Sequence, residues 1–224
     1  PEGGDLVTGL PSRVYLAAKD AQNEPVEVEG QVFDDRGTLV SDFKSTYGGM
    51  ARVSLTPAKD RSYNVKLTRP KGASAGKTFA IPAAKASGCT LRSVDDFTSS
   101  DNDVKVKVQC TEKQDVLATA VLREKLLAKL AVQTVPGAAA TISLPMGKDA
   151  VGALRVTLFD TGQRPLAERL IYRGLGNEMR VSVKADRKSY SPREKVTLTV
   201  ETKDAAGKPV AADVALAVVD DTVL

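Results

Sequence analysis

Apolar and polar residues alternate with a period of two along most of this chain. Val14, Leu16 and Ala18 fall on one face of an early segment, followed by Ala51, Val53 and Leu55, then Tyr63, Val65 and Leu67. The pattern returns at Val104, Val106, Val108 and Cys110, at Leu154, Val156 and Leu158, at Met179, Val181 and Val183, and at Val196, Leu198 and Val200. Successive side chains of a strand point to opposite faces, so each run predicts a strand with one apolar and one solvated side. The runs are short and bounded by Gly, Pro, Asn or Asp. Such a series predicts antiparallel sandwiches, in which a facing sheet covers each apolar face.

One segment carries a competing signal. Asp115 to Ala131 is rich in Ala, Leu, Lys and Glu, with Leu122, Leu126 and Leu130 at helical spacing. Propensity alone favours a helix there. A lone helix would interrupt an all-strand domain, so the expectation is two strands turning near Arg123-Glu124-Lys125.

Composition places the boundaries. Pro70-Lys71-Gly72-Ala73-Ser74-Ala75-Gly76 reads as a small-residue linker and Gly174-Leu175-Gly176-Asn177 as a second break. Three segments follow: 1–76, 77–175 and 176–224. The last is too short for a complete sandwich of about 100 residues and supplies about three strands, with open edges and an uncovered apolar face. An internal repeat supports modules in tandem. Lys19-Asp20-Ala21 with Pro25-Val26 recurs as Lys203-Asp204-Ala205 with Pro209-Val210, and Asp160 to Leu166 has the same sense. Each copy reads strand, polar turn, Pro plus apolar residue, strand.

Charge and composition narrow the function. Net charge is +4, from 32 basic and 28 acidic residues, and aromatics make up 4% with no Trp. Lys and Arg mostly alternate with apolar residues, as in Val104-Lys105-Val106-Lys107-Val108, which makes them a solvated face rather than a nucleic-acid surface. There is no His, so Ser-His-Asp and Cys-His systems and the commonest metal ligand are absent. Two Cys alone cannot build a four-thiolate zinc site. No apolar stretch approaches the roughly 18 residues that span a bilayer, which predicts a soluble piece. With no initiator Met at Pro1 and an apolar run at Leu224, both ends read as internal to a longer chain.

The remaining candidates are structural. If Leu91–Asp95 and Val104–Val108 form a hairpin with matched apolar faces, Cys89 lies opposite Cys110, Leu91 opposite Val108 and Ser93 opposite Val106. Opposed Cα atoms are then within disulfide reach, making Cys89 and Cys110 a candidate disulfide and pointing to an oxidising compartment. Asp95, Asp96, Asp101 and Asp103 could in principle hold Ca²⁺, but their spacing does not match the calcium-loop signature, and a solvated turn is the expectation. Glu168 and Arg169 are adjacent, point to opposite faces of a strand and form no catalytic pair; surface ion pairing with a neighbouring strand is expected of them. Gly174-Leu175-Gly176 is too short for a phosphate cradle. No spacing nominates a Ser–Lys nucleophile. The sequence therefore assigns no catalytic, cofactor-binding or metal-binding residue, and the chain is read as a non-enzyme.

Three blocks carry a family resemblance. Pro1-Glu2-Gly3-Gly4-Asp5-Leu6-Val7-Thr8-Gly9-Leu10 resembles the opening of a macroglobulin domain of bacterial alpha-2-macroglobulin-like proteins. Leu154 to Asp160, running on through Pro165 to Tyr172, resembles the closing hairpin of a following domain. Tyr190-Ser191-Pro192-Arg193-Glu194-Lys195-Val196, Gly207-Lys208-Pro209-Val210 and Leu216 to Leu224 are similar to the domain that carries the bait region.

The resemblance implies tandem immunoglobulin- or fibronectin-III-like macroglobulin sandwiches. It also implies that the first lacks its N-terminal strand and that the last stops before the bait region. It further implies a protease trap, in which cleavage of an exposed bait drives rearrangement around the protease, often with a thioester of the Cys-Gly-Glu-Gln type. Neither Cys89-Thr90-Leu91-Arg92 nor Cys110-Thr111-Glu112-Lys113 fits that motif, so only a scaffold role carries over, inactive in isolation. The implied partners are neighbouring macroglobulin domains and, through other parts of the parent, target proteases. No nucleic acid, small-molecule substrate or cofactor is implied. The implied location is extracytoplasmic: periplasmic, cell-surface or secreted. The competing reading is a tandem sandwich spacer or adhesion module of a cell-surface protein, since a sandwich fold alone does not choose.

Overall fold

The computed structural model describes residues 1–72, 77–174, 179–191 and 193–218. Residues 73–76 of the expected linker, 175–177 of the expected break, Pro192 and the closing run 219–224 lie outside the described residues. Every regular element among the described residues is a strand. The chain divides into two compact units, 1–173 and 174–224.

The first unit holds two sandwiches. In the first, β1 (Ser12–Ala17) and β4 (Met50–Leu55) form a two-stranded sheet. It faces a four-stranded sheet of β2 (Glu29–Asp34), β3 (Leu39–Lys44), β5 (Tyr63–Arg69) and β6 (Thr78–Ala80), in the order β3-β2-β5-β6. Val14, Val53 and Leu55 meet Val32, Phe43 and Val65 in the core. A buried Val, Leu or Phe side chain stabilises by about 1.5–3 kcal/mol relative to exposure, so the alternation seen in the sequence is also the energetic reason the sheets close. β6 pairs with β5 and Ile81 joins this core, so the first sandwich extends past residue 76.

The second sandwich packs β12 (Ala139–Leu144), β9 (Val104–Cys110) and β7 (Cys89–Ser93), in that order, against a five-stranded sheet. That sheet runs β11 (Lys125–Gln133), β10 (Asp115–Leu122), β13 (Gly152–Phe159), β14 (Pro165–Arg173) and β8 (Phe97–Thr98). Leu91, Val104, Val106, Val108, Leu144, Leu154, Val156 and Leu158 are all inaccessible to solvent. The Asp115–Ala131 segment is a hairpin: Arg123 and Glu124 both take positive φ (46° and 67°), the geometry of a type I′ turn. Val116, Ala118 and Ala120 face the core, while Leu126 and Leu130 are exposed. The helical spacing of the leucines therefore describes no common face; β10 is held as a strand between β11 and β13.

The repeated Asp blocks have one geometry. The Asp20 and Asp204 amides donate to the carbonyls of Glu24 and Lys208, and Val26 and Val210 amides donate to Ala18 and Thr202. Asp160 and Asp34 form the same turn, closed on Arg164 and Thr38. In all four the aspartate Oδ1 accepts the amide four residues on. The residue three positions on is left-handed: Asn23, Gly37, Gln163 and Gly207. The Asp34 copy has no following Pro, which is why the sequence repeat does not show it.

The second unit contains β15 (Arg180–Ala185) paired antiparallel with β16 (Leu198–Lys203). Between them, Tyr190 Oη donates to Asp186 Oδ1 at 2.6 Å and Arg187 pairs with Glu194. Val181, Val183, Val196 and Val200 are exposed. The alternation is present there, and the covering sheet that the first unit supplies to its own strands is not among the described residues of this unit.

Candidate functional site

The chemistry of the first unit concentrates where its two sandwiches meet. The segment before β1 acts as a strap between them. The Glu2 amide donates to Arg13 O on β1 at 2.7 Å, and the Glu168 amide of β14 donates to Gly3 O at 2.9 Å. Farther on, the Lys85 amide donates to Leu6 O, and the Thr8 amide to Lys85 O. Leu6, Val7 and Leu10 are buried along this path.

Glu2 carries a carboxylate whose side chain is wholly shielded from solvent. Its Oε1 accepts the Ser93 amide at 3.1 Å and lies 3.3 Å from the Ser93 hydroxyl oxygen, whose single proton is directed to Asp96. Arg169 Nε lies 3.1 Å from the same oxygen and Arg13 Nη1 lies 3.5 Å from Oε2. Neither Arg169 Nε nor Glu2 Oε2 has an aligned hydrogen-bond partner, so these contacts are Coulombic rather than hydrogen-bonded. Asp96 is the second carboxylate. It accepts the Ser93 hydroxyl at 2.8 Å and lies within 3.3–3.5 Å of Arg13, Arg52 and Arg169. The Arg169 guanidinium also stacks 5.4 Å above the Tyr15 ring.

Arg13, Tyr15 and Arg52 come from β1 and β4; Ser93, Asp96 and Arg169 come from β7, the turn after it and β14. The cluster therefore spans both sandwiches. Partial burial works against ionisation of Asp96, but the Ser93 hydroxyl together with Arg13, Arg169 and Arg52 outweighs it and holds the carboxyl below its ordinary range. Glu2 is the shielded member, so removing its arginine partners would leave a buried charge uncompensated, whereas Asp96 and Arg52 stay partly in solvent, where pairing is worth less.

The residues singled out in the sequence lie in different places. Cys89 and Cys110 are bonded, with Cα atoms 4.1 Å apart, in a ladder that also pairs Leu91 with Val108 and Ser93 with Val106; the two strands are not the expected hairpin, because the chain between them crosses to the opposite sheet at β8. The four aspartates separate: Asp95 is exposed, Asp96 joins the arginines, Asp101 faces Lys148, and Asp103 accepts from Ser143 and the Met146 amide. Among the described residues no three His, Cys, Asp or Glu side chains group as a metal site. Glu168 makes the expected surface pair with a neighbouring strand, lying 3.8 Å from Arg155 Nε of β13 and accepting from Thr157 Oγ1 at 3.0 Å, whereas Arg169 enters the junction. Glu2, Arg13 and Arg52 carry no sequence signal, because they lie far apart along the chain. Arg173 is likewise unmarked, yet it is buried and donates to the carbonyls of Asn102, Gly147, Ala150 and Ser100.

A family model described as the alpha-2-macroglobulin bait region domain matches residues 98–224, which is more than half of the chain. The chain belongs to this alpha-2-macroglobulin family. Its match takes in the second sandwich from β8 onward and the whole of the second unit. Among solved structures, trypsin-activated alpha-2-macroglobulin from Escherichia coli is similar at 12% identity and a TM-score of 0.31, covering 91% of this chain and 18% of that one. The Escherichia coli adhesin FdeC is similar at 18% identity and a TM-score of 0.27, covering 94% and 73%. The major pilin subunit of Bacillus cereus is similar at 10% identity and a TM-score of 0.28, covering 89% and 86%. No curated protein matches the chain. The alpha-2-macroglobulin-family segment thus spans under a fifth of the length of the Escherichia coli macroglobulin chain.

Proposed function

We propose that this segment is scaffold of an alpha-2-macroglobulin-like endopeptidase inhibitor acting outside the cytoplasm. It performs no catalysis and is inactive on its own. The observation that carries the reading is membership of the bait-region domain family over residues 98–224. The junction gives the role a physical form. A trap that responds to a cut at a distant segment needs modules that move as bodies rather than deform, and the Glu2–Arg169–Asp96 network couples two sandwiches in that way. The disulfide favours an oxidising compartment. Target proteases engage the parent through parts other than this segment.

The test compares the isolated segment with the parent protein. The segment is expected to leave trypsin activity toward a large protein substrate unchanged at equimolar ratio. The parent, cut once by trypsin, is expected to change shape in small-angle scattering and to shield the enzyme from that substrate while small substrates still reach it. Stoichiometric inhibition by the segment would refute the scaffold role. A parent with no proteolytically open stretch after Leu224 and no change of shape would instead make these modules a spacer or adhesion stalk.

A further inference from the structure

Two connections cross between the sheets of the second sandwich beside the last residue of β14. The turn after β8 leads from the five-stranded sheet to β9 in the three-stranded one, and the loop after β12 leads back to β13. Neither crossover belongs to a ladder, so its main-chain polar groups need partners from elsewhere.

Arg173 supplies them. It ends β14, set between Gly152 of β13 and Thr98 of β8, and is 1% exposed. Nε donates to Asn102 O at 2.9 Å and Nη2 to Ser100 O at 2.5 Å, both in the first crossover. Nη1 donates to Gly147 O and Ala150 O, each at 2.8 Å, in the second. A guanidinium suits this place because its donors fan out in a fixed, planar fork. Two outer ties join the same loops: exposed Asp101 lies 3.8 Å from exposed Lys148, and Asp103 Oδ1 accepts the Met146 amide at 3.3 Å. An apolar side chain at 173 would leave four carbonyls short of a partner.

The position of this residue matters as much as its bonds. The first compact unit ends at Arg173 and the second starts at Gly174. Tension that arrives along the chain from the second unit therefore meets the Gly152–Arg173 rung first. The bonds of an antiparallel pair follow one another along the strand, so a pair pulled from one end opens rung by rung. The guanidinium changes that loading. Its four bonds reach two crossovers that are rooted in both sheets, and all four must fail before Arg173 leaves.

We propose that Arg173 is a load-bearing latch at the exit of the second sandwich. It keeps displacement of the second unit from peeling β14 off β13, and it spreads the tension over both sheets. A trap whose parts move as bodies and a stalk under pull would load it alike, so the latch does not rest on the protease-trap reading.

The experiment stretches single molecules of the whole 224-residue chain, disulfide intact, in two directions. Handles on azide-bearing residues at the exposed positions Lys107 and Val218 bring the load in through Gly174; handles at Lys107 and the exposed Lys129 load the same sandwich through β11 instead. In the first geometry the two-stranded β15–β16 pair extends before the sandwich is loaded. Arg173→Met removes every donor and keeps an unbranched side chain. With load entering at Gly174 it is expected to speed opening at fixed force by about tenfold or more, the equivalent of one lost bond to a charged group. Through Lys129 the expected change is well below that. Arg173→Lys keeps the charge without the fork and is expected to fall between Arg173→Met and the unsubstituted chain; it carries the test if Arg173→Met does not fold. Asp101→Asn is expected to alter neither direction. Equal acceleration in both directions would make Arg173 an ordinary buried structural residue and overturn the latch. An unchanged rate in either Arg173 variant with load entering at Gly174 would overturn it as well.

Discussion

Gly3 packs with its Cα against the carbonyl oxygen of Leu91, so closely that a Cβ on Gly3 would overlap that oxygen. The strap backbone is therefore laid directly on β7, and φ at Gly3 is +75°. Both facts penalise any side chain. A left-handed non-glycine residue costs about 1–2 kcal/mol, and overpacking against backbone adds about 1–3. Gly3→Ala is expected to destabilise the first unit by about 2–5 kcal/mol in urea unfolding. Gly72→Ala, with nothing within reach of its Cβ, is expected to cost less. Equal effects at the two sites would show that the strap does not bear on β7.

The charge cluster predicts a pH dependence. Asp96 ionises more readily in the folded chain than in the unfolded one, because Ser93 and three arginines favour its anion despite partial burial. A carboxyl whose pKa is depressed on folding binds fewer protons folded than unfolded, so stability rises with pH across the interval between the two values. The contribution is fully present above about pH 5 and lost as pH falls through the folded pKa. The melting temperature is expected to drop on acidification from about pH 5 to about pH 2, with a shallower slope for Asp96→Asn. Part of the slope should persist, since Asp34 and Asp160 are held low by their own turns. An unchanged slope in Asp96→Asn would remove Asp96 from the junction.

Much of this fold is legible as alternation because a half-buried strand obeys one local rule. The rule fails where a partner supplies the missing bulk. β2 places Gly30 and Val32 on its inner face, and a Cβ at Gly30 would collide with the Phe43 ring, so the apolar character expected at Gly30 is delivered from β3. It also fails where the face stays uncovered: Val181 and Val183 alternate as core residues do and remain exposed. The register of Cys89 with Cys110 follows from matching apolar faces across β7 and β9, even though the chain between them visits the opposite sheet at β8. The junction was not legible. Glu2, Arg13, Arg52, Asp96 and Arg169 become neighbours only through the docking of two sandwiches, and no spacing encodes that.

The disulfide closes a loop of sequence separation 21 around β8. Cross-linking such a loop limits the unfolded ensemble and stabilises by about 3 kcal/mol on the chain-entropy account. Denatured, unreduced protein is expected to show no reactive thiol. Addition of reductant is expected to lower unfolding stability by about that amount while the far-ultraviolet spectrum of the folded protein stays that of a β-protein. Two titratable thiols without reductant would contradict the pairing.

Gln163 gives a prediction of the opposite sign. It occupies the left-handed position of the Asp160 turn with φ +61°, where the equivalent residues at Asp34 and Asp204 are Gly37 and Gly207. Relief of the left-handed strain is worth about 1–2 kcal/mol, and the extra freedom glycine brings to the unfolded chain offsets about 0.4–1 of it. Gln163→Gly is therefore expected to stabilise by about 0.8 kcal/mol, read as a higher urea midpoint at constant slope. The turn itself is held by Asp160, whose carboxylate accepts the Arg164 amide at 2.9 Å. Asp160→Ala should remove that bond and destabilise in either background. If Gln163→Gly lowered the midpoint, a contact of the Gln163 side chain would have to outweigh the backbone term, and the shared geometry of the four turns would not explain their residues.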